Sequence, residues 1–72
     1  MNAQTLNAPV WEGDVDFGNG ERRYRCLDIS SQIGLSIFEY LNPKLGWRRV
    51  QNHNTRRAMH NHISGLPNQN PF

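Results

Sequence analysis

The chain has 72 residues, with eight lysines and arginines against six aspartates and glutamates, and a formal net charge of +2. This length allows one domain, and it is short for a chain that must bury a stable core. The single cysteine, Cys26, excludes an internal disulfide, and no apolar run approaches the roughly 20 residues that a membrane helix needs. The N-terminal residues lack the basic and apolar regions of a signal peptide, so we expect a cytoplasmic protein with no membrane partner.

The charges are divided unevenly between the two halves of the chain. Residues 1–39 contain all six acidic residues and three arginines, a net charge of −3, whereas residues 40–72 contain five cations and no acid, a net charge of +5. Such asymmetry is typical of a folded part joined to a basic arm that binds polyanions or acidic protein surfaces. We therefore predict a folded core over residues 10–50, between a flexible N-terminus at 1–9 and a basic, polar, mostly disordered tail at 51–72.

Residues 10–29 have the pattern of a β-hairpin. Apolar and acidic residues alternate from Trp11 to Phe17, which is the period of a half-buried strand. Asn19-Gly20 then gives a strong hairpin signal, because a two-residue type I′ turn needs positive φ at both central residues. Such a turn fixes a register in which opposite charges pair on one face and apolar residues pair on the other. The predicted pairs are Val15 with Tyr24, Asp16 with Arg23, and Asp14 with Arg25.

Residues 30–42 are predicted to form a short helix. Ile33, Ile37 and Leu41 share one helical face, and Asn42-Pro43 would end the helix because the residue before a proline avoids the α region. The alternative is a strand, since apolar residues also alternate from Ile33 to Ile37. A bare hairpin is only marginally stable in water, so the hairpin and the helix need each other's apolar faces. The predicted fold class is therefore α+β, with a small β-hairpin packed against a short helix.

The remainder of the chain carries weaker patterns. Residues 47–50 fit either a third strand or the start of a helix, and Ala58, Met59 and Ile63 form a weak helical stripe. Residues 65–72 hold two prolines and few apolar groups, so burial cannot offset the cost of ordering them.

The cationic half of the chain is the candidate binding segment. In one interpretation its arginines neutralise phosphates and Trp47 stacks on bases. In the other, the guanidinium groups bind carboxylates of an acidic protein surface in bidentate fashion. Trp47 itself fits either a core position, which we favour, or a stacking platform. The candidate nucleic-acid-binding residues are Arg48, Arg49, Arg56 and Arg57.

No catalytic residue, metal site or cofactor is predicted. The three histidines lack the four closely spaced ligands of structural zinc, and we interpret them as solvated. Asp14 and Asp16 already have arginine partners in the predicted hairpin register. Cys26 faces the core side with Tyr24 in that register, and a buried thiol on an apolar face is usually inert.

In size, charge layout and coarse architecture, the chain resembles the small phage-encoded regulators that bind bacterial RNA polymerase. The features that carry this resemblance are an acidic-to-basic hairpin–helix core, Trp47-Arg48-Arg49 and the polar tail after it. The resemblance implies a monomeric regulator in the host cytoplasm that inhibits initiation or promotes antitermination. The partner-binding residues on this basis are Asp14, Asp16, Arg23, Arg25, Lys44, Trp47, Arg48 and Arg49. The alternative function is a basic accessory protein that binds DNA or RNA.

Overall fold

In a computed structural model, which describes residues 8–66, the chain forms an antiparallel sheet and one α-helix. The strands lie in chain order as a four-stranded meander, so the predicted α+β class is confirmed. Among residues 8–66 no helix is long and apolar enough to cross a membrane. The elements are β1 (Trp11–Asp16), β2 (Glu21–Asp28), a 3₁₀ turn (Ile33–Leu35), β3 (Ile37–Asn42), β4 (Gly46–Arg49) and α1 (His53–Ser64).

The β1–β2 hairpin is present, but the predicted register is wrong. Gly13, and not Val15, pairs with Tyr24, and the connecting loop spans residues 17–20. The observed register differs from the predicted one by an even number of residues, and an even shift leaves every side chain on its original face. The prediction that Cys26 and Tyr24 face the core is therefore confirmed, and both are buried.

The cause of the register shift lies in the Asp16 side chain. Its Oδ1 atom accepts hydrogen bonds from the Gly18 amide at 2.7 Å and from the Gly20 amide at 3.1 Å. Both glycines have positive φ, 114° at Gly18 and 98° at Gly20, which a residue with a side chain rarely adopts. An aspartate that hydrogen-bonds to the backbone ahead of it favours this longer turn over the two-residue Asn19-Gly20 turn.

The predicted helix over residues 30–42 is wrong. Only Ile33–Leu35 is helical, as one 3₁₀ turn, and the second half of the segment is the strand β3. In β3, Phe38 is buried and Tyr40 packs against the core, which is the period of a strand rather than of a helix. The local pattern of this segment fits both a helix and a strand, and pairing with β2 selects the strand.

The turn between β3 and β4 is built by Asn42. Its Oδ1 atom accepts hydrogen bonds from the Lys44 amide at 2.9 Å and the Leu45 amide at 3.0 Å, and Gly46 has a φ of 81°. Asn42-Pro43 therefore ends a strand and not a helix. The turn leads into β4, the edge strand that carries the basic residues.

The prediction of a disordered tail over residues 51–72 is wrong for residues 53–64, which form α1. Asn52 caps the helix, because its Oδ1 atom accepts a hydrogen bond from the Thr55 amide at 3.0 Å. Met59 and Ile63 lie one turn apart and are buried, so the core does not end at residue 50 as predicted. The expectations for residues 1–7 and 67–72 lie outside the described residues.

The core lies between α1 and one face of the sheet. The two central strands, β2 and β3, contribute buried apolar side chains, and α1 contributes two more. Trp47 is not among these residues, so the core position favoured for it is wrong. The buried apolar residues are Tyr24, Cys26, Phe38, Val50, Met59 and Ile63.

Candidate functional site

The face of the sheet opposite α1 carries most of the predicted partner-binding residues. No helix in the described part of the chain covers this face, and we call it the open face. The strand register aligns a row of alternating charge across all four strands, from Glu12 through Arg25 and Glu39 to Arg49. The other open-face residues used below are Asp14, Arg23, Leu41 and Trp47.

Arg23 binds two carboxylates at one end of the open face. Its Nε atom lies 2.8 Å from Glu12 Oε2, and its Nη1 atom lies 3.0 Å from Asp14 Oδ2. The hydrogen bonds that Arg23 donates, first to Glu12 and then to Asp14 in order of effect, raise the pKa of its guanidinium. The predicted pairing of Asp16 with Arg23 and of Asp14 with Arg25 is wrong, because the register brings Asp14 opposite Arg23.

Arg25 occupies the centre of the open face. Its guanidinium lies 2.6 Å from Glu39 Oε1, and its guanidinium carbon lies 4.1 Å from the centre of the Trp47 ring. Only 26% of the Arg25 side chain and 15% of the Glu39 side chain are exposed. Trp47 therefore is not a core residue, and Arg25 covers one face of its ring.

The remaining cations of this region have no acidic partner among the described residues. Within residues 8–66, Lys44, Arg48 and Arg49 make no ion pair, and all three are exposed. Arg48 and Arg49 line a cleft of about 420 Å³ together with Trp47, Tyr40 and Glu39. The edge strand β4 thus presents a net positive charge beside two aromatic rings.

The two arginines of α1 differ sharply in their surroundings. Arg56 donates hydrogen bonds to the carbonyl oxygens of Ile33 at 2.8 Å, Ser36 at 2.7 Å and Val50 at 3.1 Å. Arg57 is exposed and donates to His53 Nε2 at 2.7 Å. We therefore leave Arg56 out of the candidate nucleic-acid surface, because its guanidinium is occupied by the fold.

The interpretation of the histidines as solvated is wrong for His60. Its Nε2 atom donates a hydrogen bond to the Ser30 carbonyl oxygen at 2.8 Å, which fastens α1 to the loop after β2. The ring of His62 packs edge-on against Trp11, with 5.3 Å between the ring centres. Among residues 8–66, no three side chains of His, Cys, Asp or Glu are grouped so that they could hold a metal ion.

A second cleft, of about 220 Å³, lies on the α1 side of the sheet. The guanidinium carbon of Arg22 lies 4.9 Å from the centre of the Tyr40 ring, and the buried Tyr24 lines the cleft. Gln51, Asn52 and Thr55 contribute from the start of α1, and none of residues 8–66 that line the cleft is acidic. The sequence analysis did not predict this cleft, although the alternation of side chains along a strand places Arg22 on the same face as Tyr24.

No family model, curated protein or solved structure matches this chain. The assignment of a function therefore depends on the geometry of the open face, the β4 edge and the cleft beside α1.

Proposed function

We propose that this protein is a non-enzymatic regulator that docks on another protein through its open face, with bacterial RNA polymerase as the partner. The observation that carries the proposal is the fixed group at the centre of this face, where Arg25 lies between Glu39 and the Trp47 ring. Complementary charges across an interface set the orientation of the partners and exclude wrong ones. Tryptophan and arginine are also the residues most often found to dominate binding energy.

A protein surface suits the open face better than a phosphate backbone does. The carboxylates of Glu12, Asp14 and Glu39 lie among its arginines and would repel phosphates. Leu41 pairs with Trp47 across β3 and β4 and is 39% exposed, so the face also offers apolar area. Apolar centres with charged rims are the usual composition of protein interfaces.

RNA polymerase is chosen because the chain resembles the small phage-encoded regulators in size and charge layout. On this proposal the protein acts as a monomer in the host cytoplasm and alters initiation or termination. Of the residues implied by the resemblance, Asp14, Arg23, Arg25 and Trp47 lie together on the open face. Asp16 does not belong to the proposed contact set, because its carboxylate closes the hairpin loop.

A binding measurement with purified bacterial RNA polymerase tests this proposal. We expect the protein to be retained at roughly physiological salt, about 0.15 M. Trp47→Ala should weaken binding at least about tenfold, as is common for a central tryptophan. Arg57→Ala is the matched control, since it removes an exposed charge on α1, away from the open face. Absence of binding at this salt, or equal affinity of Trp47→Ala and the parent chain, would contradict the proposal.

A second candidate function is nucleic-acid binding along the β4 edge. The specific observation in its favour is the exposed charge of Arg48 and Arg49 beside Trp47 and Tyr40, with the exposed Lys44 in the turn that precedes β4. Exposed cations next to aromatic rings are typical of protein surfaces that bind single-stranded DNA or RNA. Arg57 would extend this surface only if the bound nucleic acid also reaches α1.

Titration of a fluorescent oligonucleotide at several salt concentrations separates this candidate from the first. Each phosphate contact contributes about −0.7 to −0.9 to the slope of log K against log salt. The double substitution Arg48→Gln and Arg49→Gln should therefore reduce the magnitude of the slope by roughly 1.5. A slope near zero in the parent chain, or one that the double substitution leaves unchanged, rules out this surface.

A further inference from the structure

The cleft beside α1 lies on the opposite side of the sheet from the open face, and its residues Arg22, Tyr24 and Asn52 belong to neither proposed function. Its volume of about 220 Å³ is below the range of roughly 300–1,000 Å³ that holds drug-sized ligands. It therefore fits a small group rather than a large molecule. What the group must be follows from the charge and the hydrogen-bonding atoms of the lining residues.

The charge of the cleft is positive. Arg22 lines it and makes no ion pair with any residue of the described chain, and Arg49 contributes to one wall. The Asp16 carboxylate is near enough to act on the Tyr24 phenol, but it does not line the cleft. Its Oδ1 atom is already bound to the Gly18 and Gly20 amides. An anion would thus meet a guanidinium with no competing carboxylate in the cleft wall.

A buried hydroxyl without a partner also points to a ligand. Tyr24 is 1% exposed and lines the cleft, and its hydroxyl makes no hydrogen bond with any residue from 8 to 66. Leaving a buried hydroxyl unpaired costs about 1–3 kcal/mol. Burial raises the pKa of this hydroxyl, so it remains protonated and able to donate at neutral pH. A bound acceptor atom would satisfy it.

The other polar groups of the cleft are also available as donors. Asn52 uses its Oδ1 atom to accept from the Thr55 amide, which leaves its NH₂ group as the free end. Gln51 and the Tyr40 hydroxyl add further donors to the lining. Stacking on the Tyr40 ring holds the Arg22 guanidinium over the cleft before any ligand arrives.

We propose that this cleft binds a phosphate group, held by Arg22, the Tyr24 hydroxyl and the side-chain amide of Asn52. A phosphate offers several acceptor oxygens and matches the planar guanidinium in bidentate fashion. A carboxylate offers only two oxygens and would leave more of these donors unpaired. The phosphate belongs either to a small free anion or to the backbone of a nucleic acid, and both supply the same chemistry.

Nuclear magnetic resonance titrations of the whole chain test the proposal at constant ionic strength. The probes are inorganic phosphate and a short oligothymidylate, with chloride as the reference anion. We expect saturable shifts of the Arg22 side chain and the Asn52 and Thr55 amides with phosphate, and no such shifts with chloride. Preference for inorganic phosphate identifies a free anion as the ligand. Tighter binding of the oligonucleotide at the same residues identifies a nucleic-acid backbone.

Two substitutions distinguish a built site from general charge attraction. Arg22→Gln should weaken phosphate binding at least about tenfold, while Arg57→Gln, an equal loss of exposed charge, should not. Tyr24→Phe should weaken phosphate binding yet leave the melting temperature equal or higher, because it removes an unpaired buried hydroxyl. Shifts of Arg48 and Arg57 as large as those of Arg22 would overturn the proposal. A Tyr24→Phe variant that binds phosphate normally would overturn the role of the hydroxyl and with it the proposed site.

Discussion

At the scale of single residues, several arginine side chains in this protein stabilise the fold. Arg25 is fixed between Glu39 and Trp47, and Arg56 binds three backbone carbonyls. A guanidinium has five donors in a rigid fork, so it can join several acceptors that no lysine could reach together. Arg48, in contrast, is exposed and makes no ion pair within residues 8–66.

Arg56→Ala should be one of the most destabilising surface-accessible substitutions. It leaves the carbonyls of Ile33, Ser36 and Val50 without this donor and removes the charge beside the Phe38 ring. Loss of hydrogen bonds to a charged group predicts a decrease of about 2–3 kcal/mol in the free energy of unfolding.

Urea unfolding of the Arg56→Ala variant provides the measurement, and Arg57→Ala is its neighbour and control. Arg57 is exposed, so its removal should change the free energy of unfolding by no more than about 0.5 kcal/mol. Equal stability of the two variants would show that the Arg56 contacts do not hold α1 in place.

Cys26 makes stability depend on pH in the alkaline range. Burial raises the pKa of its thiol from 9.0 to about 11, with smaller effects from the Asp28 backbone and charge. The folded state thus prefers the protonated thiol. The contribution of the protonated Cys26 thiol to the free energy of unfolding is complete below pH 9, and it is lost as the pH rises through about 11. Burial also raises the pKa of Tyr24, and its ionisation acts in the same direction.

Unfolding measured between pH 8 and pH 12 should therefore show a falling free energy of unfolding. Cys26→Ala should reduce the steepness of this fall, leaving the part that belongs to Tyr24. The folded parent chain should also react slowly with thiol reagents at pH 8, because a buried protonated thiol is a poor nucleophile. Identical pH profiles for the two chains would show that Cys26 does not titrate with unfolding.

At the scale of elements, capping decides where α1 begins. Asn52 accepts from the Thr55 amide at 3.0 Å, and the helix places Thr55, Met59 and Ile63 in one buried stripe. Asn52→Ala should lower the free energy of unfolding by about 1 kcal/mol. Asn52→Ser should lower it much less, because serine can also cap the helix. Thermal unfolding of both variants checks this, and the prediction fails if serine and alanine are equally destabilising.

The elements also show which features could be predicted from the sequence. The first hairpin has a strong local pattern, and its existence was predictable because alternation and turn residues agree. Its register was not, because it depends on the hydrogen bond that the Gly18 amide donates to Asp16, which the Asn19-Gly20 signal does not reveal. For residues 30–42 the local pattern fits helix and strand, and pairing with β2 selects the strand. The open-face pair of Arg25 with Glu39 follows only from that pairing, so it could not be predicted.

The helix α1 was the largest omission, for a different reason. Its apolar stripe is narrow, its polar residues dominate, and no acidic residue marks its first turn. Isolated helices of this length are marginal, so most of their stability comes from packing. Met59 and Ile63 supply that packing against Tyr24 and Phe38, which a reading of the local sequence does not see.

At the scale of the whole molecule, folding redistributes the charge asymmetry of the sequence. Among the acids of the first half, Glu12 and Asp14 bind Arg23, Glu39 binds Arg25, and Asp16 closes a turn. Within residues 8–66 the cations of the second half form no ion pair with these acids, although Arg49 lies opposite Glu39 in the sheet. The result is a neutralised open face next to a basic edge, so a single small sheet offers two chemically distinct surfaces.

The extent of the folding unit gives the last prediction. Met59 and Ile63 are 0% and 1% exposed, and burying such side chains contributes about 1.5–3 kcal/mol each. A domain of this size has a total stability of only about 4–11 kcal/mol, so losing both side chains together with the Arg56 contacts removes most of it. A chain ending at Gln51 should therefore fail to fold, whereas a chain ending at Leu66 should melt within a few degrees of the full chain. Circular dichroism during heating measures both. A cooperative transition in the shorter chain would mean that the sheet is stable without α1, and residues 10–50 would then be a sufficient core after all.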